Sequence, residues 1–143
     1  MSDEDSIERT LQELWDADPQ LTAAIPIHDV ITERVQDDTN ADEYDRTVEP
    51  ENFVTFDVSV EPSWRSNQAQ GYTGTVEVAI ETKRHQFGKD TAELLGRRWN
   101  RKTHTGPNIT VQHLLFSGLE AAQTDADDWV HTVEFEAAFQ RLV

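Results

Sequence analysis

The side chains able to do chemistry are few in kind. The imidazoles are His28, His85, His104, His113 and His131. No two of them fall at HxH or HExxH spacing, so no metal-binding helix or strand is marked. His113 and His131 lie in alternating runs that are expected to pair, which would make them cross-strand neighbours. A metal site would need a third ligand that nothing specifies, and the plainer reading is two satisfied sheet histidines. Carboxylates are too numerous, at 28 Asp and Glu, for any pair to stand out as an acid/base dyad. The serines show no GxSxG elbow and the glycines no phosphate-binding loop. The absence of cysteine excludes disulfides, thiolate catalysis and Cys-based zinc sites. The residues point to no catalytic, cofactor or metal site.

Charge is the stronger signal. The net charge is −16, and lysine is limited to Lys83, Lys89 and Lys102. Widely spread acids and scarce lysine fit a chain made for a high-salt cytoplasm, where the Debye length shrinks to about 3 Å at 1 M. In dilute buffer the same charges repel. A nucleic-acid mimic or an acidic interaction module is the competing reading.

Against this background the segment from Lys83 to Lys102 carries Lys83, Arg84, Lys89, Arg97, Arg98, Arg101 and Lys102 against only Asp90 and Glu93. Residues 1 to 63 are rich in acids and hold Arg9, Arg34 and Arg46 as their cations. Three readings stay open for the basic segment: contact with an acidic face of another copy, a solvated face, or nucleic-acid contact. Trp64 beside Arg65, in a polar connection between two strands, is a second candidate contact, since both types are enriched at binding hot spots. The alternative is that Trp64 folds back on the sheet edge. The partner-binding candidates are therefore Trp64, Arg65, Arg97, Arg98, Arg101 and Lys102.

At 143 residues the chain fits one domain, 1–143. Ile7, Leu11, Leu14 and Trp15 make one stripe of a helix over Asp5–Asp16, with Asp5 and Glu8 as a capping box and Asp18-Pro19 as its stop. Leu21 to Ile25 adds a short turn, and Ile27 to Val35 reads as a short edge strand. Gln36 to Pro50 is a long polar loop. Phe53–Glu61 alternates as a strand that Pro62 ends, and Gly71–Thr82 alternates as the central strand. An exit loop, 83–88, leads to a helix over Lys89–Lys102 capped by Asp90 or Thr91. Leu94, Leu95, Arg98 and Trp99 share one of its faces. Ile109–Ser117 reads as a strand covered on both sides, and Gly118–Asp128 as a loop. Trp129–Phe139 is a last strand long enough to outrun its neighbours. The expectation is an α+β fold: an antiparallel sheet of about four strands with two helices packed on it, and long hairpin and loop extensions. The acidic start, Met1 to Asp5, is unlike a signal peptide, and no apolar run approaches the roughly 20 residues that span a bilayer. A soluble product that is not secreted by the usual route, with no membrane contact, is expected.

The run Leu14-Trp15-Asp16-Ala17-Asp18-Pro19-Gln20-Leu21, the polar hairpin Ser63–Thr73, the helix ending near Trp99-Asn100 and the final Val130–Phe135 strand resemble tail terminator and neck proteins of long-tailed viruses. With the acidic composition, the resemblance points to a virus of a haloarchaeal host. It implies a ring, usually hexameric, that terminates the tail tube and joins it to the head-side neck. The implied partners are other copies of itself, the tail tube protein and the head-side connector or neck protein, with non-specific passage of DNA through the lumen. It implies no catalytic residues and no cofactor, and places the protein in the virion, or in the host cytoplasm during assembly. By this analogy Ser63–Thr73 and Gln36–Pro50 are axial contacts and the basic helix is a subunit contact. A neighbouring tail-completion protein remains an alternative, as does a small halophilic enzyme or ligand-binding domain. A pocket lined by His113 and His131 would favour the enzyme.

Overall fold

The structure, a computed structural model, describes residues 3–31 and 52–142. The predicted loop 36–50 and the end of the predicted edge strand, 32–35, lie outside the described residues. The fold is α+β, as the residue pattern predicts. A six-stranded sheet has the order β1-β2-β3-β6-β5-β4, and helices pack on one of its faces. The strands are β1 (Val30–Ile31), β2 (Phe53–Arg65), β3 (Ala69–Thr82), β4 (His104–Thr105), β5 (Ile109–Gln123) and β6 (Trp129–Leu142). The four long ones are the four predicted strands. All neighbours are antiparallel except β1 and β2, whose short parallel pairing joins Val30 to Val54.

Helix α1 is Asp3–Asp16. Its stripe Ile7, Leu11, Leu14 and Trp15 is buried as the spacing requires. It starts two residues before the predicted cap, because acids in the first turn already suit the helix dipole; Asp5 therefore sits inside the helix rather than at its cap position. Helix α2, Pro19–Ala24, follows at once. Asp18 is its N-cap, accepting from the Gln20 and Leu21 amides at 3.0 and 3.4 Å, and Pro19 occupies the first turn, where its missing N–H costs nothing.

Helix α3 is His85–Trp99, with Gly88, Ala92, Leu95, Gly96 and Trp99 buried. The predicted start at Lys89 is too late and the predicted end at Lys102 too far. The residues read as an exit loop, His85 to Gly88, form the first turn without any side-chain cap. Asn100 ends the helix, and Arg101 takes a positive φ of 65°.

The core lies between the sheet and the helices. The register places Val54, Ile80 and His131 in one row, then Phe56, Val78 and Val133, then Val58, Val76 and Phe135. Trp99 from α3 stacks on Phe56 at 6.2 Å and meets Trp15 edge-on at 6.3 Å and Phe135 at 5.8 Å. Such contacts stabilise beyond simple burial. Among the described residues, no helix is long and apolar enough to cross a membrane.

Four strand predictions need correction. Ile27–Asp29, the start of the expected edge strand, is a single 3-10 turn, and the strand begins only at Val30. Pro62 does not end β2. It sits beside a register shift between Pro62 and Trp64, in the part of β2 that has no outer neighbour among the described residues, where a missing donor is tolerated. β5 is not covered on both sides: two bulges, at Val111/His113 and Phe116/Gly118, turn Leu115 and Phe116 toward solvent, and the strand continues to Gln123 where a loop is predicted. β6 does not outrun its neighbours, because β3 pairs with it from Ala69↔Leu142 to Thr82↔Trp129.

Candidate functional site

The predicted histidine pair does not form. His113 pairs with Ala138 and is exposed, whereas His131 pairs with Ala121 and is buried. The first β5 bulge shifts the register and turns His113 to the opposite face. His131 instead meets α3. Its ring lies 5.1 Å from that of His85, which in turn tilts against Trp129 at 4.3 Å. A methyl on Gly88 would come within 2.6 Å of His131 Nδ1, so the glycine lets the helix start sit directly on the imidazole. Among the described residues, neither ring nitrogen of His131 has a hydrogen-bond partner. Burial, then the nearby His85 and Lys89 charges, push its pKa below the usual histidine value. His104 Nε2 lies 4.0 Å from Glu13. Among the described residues, no three His, Asp or Glu side chains gather as a metal site. The His85–His131 contact is invisible in the sequence, because 83–88 reads as loop and only the three-dimensional packing brings helix and strand together.

The six contact candidates fall in two places. Trp64 and Arg65 stand near the tip of the β2–β3 hairpin, closed by a tight turn at Ser66–Ala69. There Ser66 Oγ accepts from the Gln68 and Ala69 amides at 3.2 and 3.1 Å. The bulge at Pro62/Trp64 brings Trp64 opposite Gly71, and a Cβ on Gly71 would overlap the indole. Trp64 thus lies back on the sheet, yet remains 42% exposed.

The other four mark the end of α3. Arg98 is engaged within the chain: its Nε donates to Asp18 Oδ2 at 2.7 Å, linking α3 to the α2 cap. Burial raises the Asp18 pKa, but Arg98 and the Gln20 and Leu21 amides outweigh it and hold the carboxyl below its usual value. Arg97, Arg101 and Lys102 are exposed. The Arg101 amide donates to Leu114 O at 2.6 Å, which anchors an otherwise disfavoured left-handed arginine. Asn100 Oδ1 accepts from the Phe116 amide at 3.0 Å, and a Cβ added to Gly96 would come within 3.2 Å of the Phe116 ring. The basic end of α3 therefore carries a half-exposed aromatic, Phe116, at its side.

The other face of the sheet has the opposite sign, which the sequence conceals. The register puts Asp57, Glu77 and Glu134 directly opposite one another on β2, β3 and β6, with Ser59, Thr75 and Glu136 in the next row. Leu115 pairs with Glu136 on the same face and is 38% exposed. Like charges set directly across strands do not help a sheet. Among the described residues these groups form an acidic row on the uncovered sheet face and a basic end of α3.

No protein-family model and no curated protein matches the chain. Among solved structures it is similar to a chain from the virion of a native gene transfer agent particle. The two are 14% identical with a TM-score of 0.62, over 92% of this chain and 90% of the other. At this identity the likeness establishes the shared fold.

Proposed function

We propose that this chain is a non-enzymatic structural protein of a phage-like virion, and that it forms a homo-oligomeric, hexameric ring that ends the tail tube and joins it to the head-side neck. The observation that carries the reading is the fold shared with a virion chain along nearly the full length of both. The resemblance of Leu14–Leu21, the hairpin and the closing strand to tail terminators supports the finer assignment. The partners in this reading are further copies of the chain, the tail tube protein and the head-side connector, with DNA passing through the lumen. The charge of −16 supports a haloarchaeal host.

Native mass by light scattering tests it, in multi-molar KCl and again after dilution. A ring mass in high salt that falls on dilution is the expected result. A monomer at every salt concentration, with no annular particles in negative stain, rejects the ring.

A further inference from the structure

The basic end of α3 and the uncovered face of the sheet differ in sign. Helix α3 lies on one face of the sheet, with Arg97 exposed in its last turn and Arg101 and Lys102 exposed just past its end. The opposite face presents the row Asp57–Glu77–Glu134 with Glu136 beside it. The row crosses three strands, a span of about 10 Å at the usual strand spacing. Each surface also holds an exposed apolar side chain. Leu115 pairs with Glu136 beside the acidic row, Trp64 lies opposite Gly71 toward the hairpin tip, and Phe116 sits beside the basic end of α3, at 38, 42 and 45% exposure. Apart from Leu142 in the last turn of β6, these are the large hydrophobics left exposed among the described residues.

We propose that the uncovered sheet face, through Asp57, Glu77, Glu134 and Glu136, receives the basic end of α3 of a second copy of this chain. The proposal rests on the oligomeric reading above and names its contact surfaces. Charge complementarity selects the occupant, because the cations the acidic face lacks are the ones this same chain displays on its other side. Two unlike surfaces on one molecule make a heterologous contact, which closes into a ring when the rotation permits. The chain's own segment 32–51 is a poor occupant. It carries Glu33, Asp37, Asp38, Asp42, Glu43, Asp45, Glu49 and Glu51 against Arg34 and Arg46, and has the same sign as the face.

The test uses two charge-reversed full-length chains, Arg97→Glu with Arg101→Glu, and Glu77→Lys with Glu134→Lys. Circular dichroism establishes that each is folded. Light scattering should show that each alone loses the assembled mass of the unmodified chain, and that an equimolar mixture regains it, since reversed and native surfaces then alternate. Zero-length carboxylate–amine cross-linking of the unmodified assembly should join Lys102 of one copy to Glu77, Glu134 or Glu136 of another. A ring mass retained by both folded variants, or cross-links from the face only to Lys83 or Lys89, overturns the proposal while leaving the ring intact. An unmodified chain that is monomeric throughout fails the ring itself, a result read before either variant is made.

Discussion

His131→Leu isolates the one buried imidazole among the described residues. In the native fold both ring nitrogens lie unpartnered beside Gly88 and the His85 ring. A buried polar group without a partner costs about 1–3 kcal/mol. Leucine removes that cost, but its branched end must fit against Gly88, and overpacking costs about 1–3 kcal/mol. The two terms oppose, so stability near neutral pH changes little. The decisive signal is in acid. Burial, then His85 and Lys89, make the folded His131 harder to protonate than the unfolded chain, which protonates at the ordinary value of 6.5. Below that pH the unfolded state holds more protons, so folding stability falls with falling pH until the depressed folded pKa is reached. The linkage therefore acts from about pH 7.5 down toward the depressed folded value, and each unit of separation between the two states is worth about 1.4 kcal/mol. Urea unfolding across that range, at one fixed salt concentration, should show the loss in the unmodified protein and a correspondingly flatter profile in His131→Leu. Equal acid slopes would refute the reasoning and mean that His131 is satisfied in solution.

Asp18→Ala should cost about 1–2 kcal/mol by thermal unfolding, because it removes the α2 cap and leaves Arg98 without its carboxylate. Arg98→Ala should cost less, about 0.5 kcal/mol, since its side chain is 43% exposed; the reverse order would show that the ion pair outweighs the cap. The Asp18 pKa is lowered, so its contribution is full above the unfolded value of 3.8 and is lost as the pH falls through the folded pKa. Gly74→Ala should destabilise by about 2 kcal/mol or more, because the new methyl would overlap the Ser59 carbonyl and force two paired strands apart. Gly118→Ala is the matched control. A Cβ there meets nothing within 4 Å, so the change should be neutral or add about 0.5 kcal/mol by restricting the unfolded chain.

The alternation of Val54, Phe56 and Val58, of Val76, Val78 and Ile80, and of His131, Val133, Phe135, Ala137 and Phe139 is enough to place each face of the three strands it runs through. The stripe of α1 is equally legible, because burial on one side leaves a period in the sequence. Bulges leave none. The shifts at Pro62/Trp64, Val111/His113 and Phe116/Gly118 insert a residue without any residue-type signature, and each reverses the facing of the residues beyond it. Simple alternation puts His113 on the wrong face for that reason. The start of α3 is hidden because His85-Gln86-Phe87-Gly88 offers neither an acidic cap nor a strong helix former at Gly88. Arg98 sits on the face its spacing predicts, but its partner Asp18 lies in another helix and is identified by packing alone. The acidic row is equally hidden, because Asp57, Glu77 and Glu134 belong to three separate strands and only their register aligns them.

The seam between β3 and β6 runs down the middle of the sheet and joins distant parts of the chain. Ala69 meets Leu142 and Thr82 meets Trp129, with all of α3 and β5 lying between. Contacts of such separation are slow to form, since a large loop must close before any of them is rewarded. During synthesis the β2–β3 hairpin must wait with a bare inner edge, rich in Val76, Val78 and Ile80, until the last strand emerges. That waiting edge is a template for pairing with the wrong chain. Truncation within β6 would therefore split the sheet at its centre rather than trim its margin, and yield at high expression rates should be limited by this final insertion more than by the stability of the finished fold.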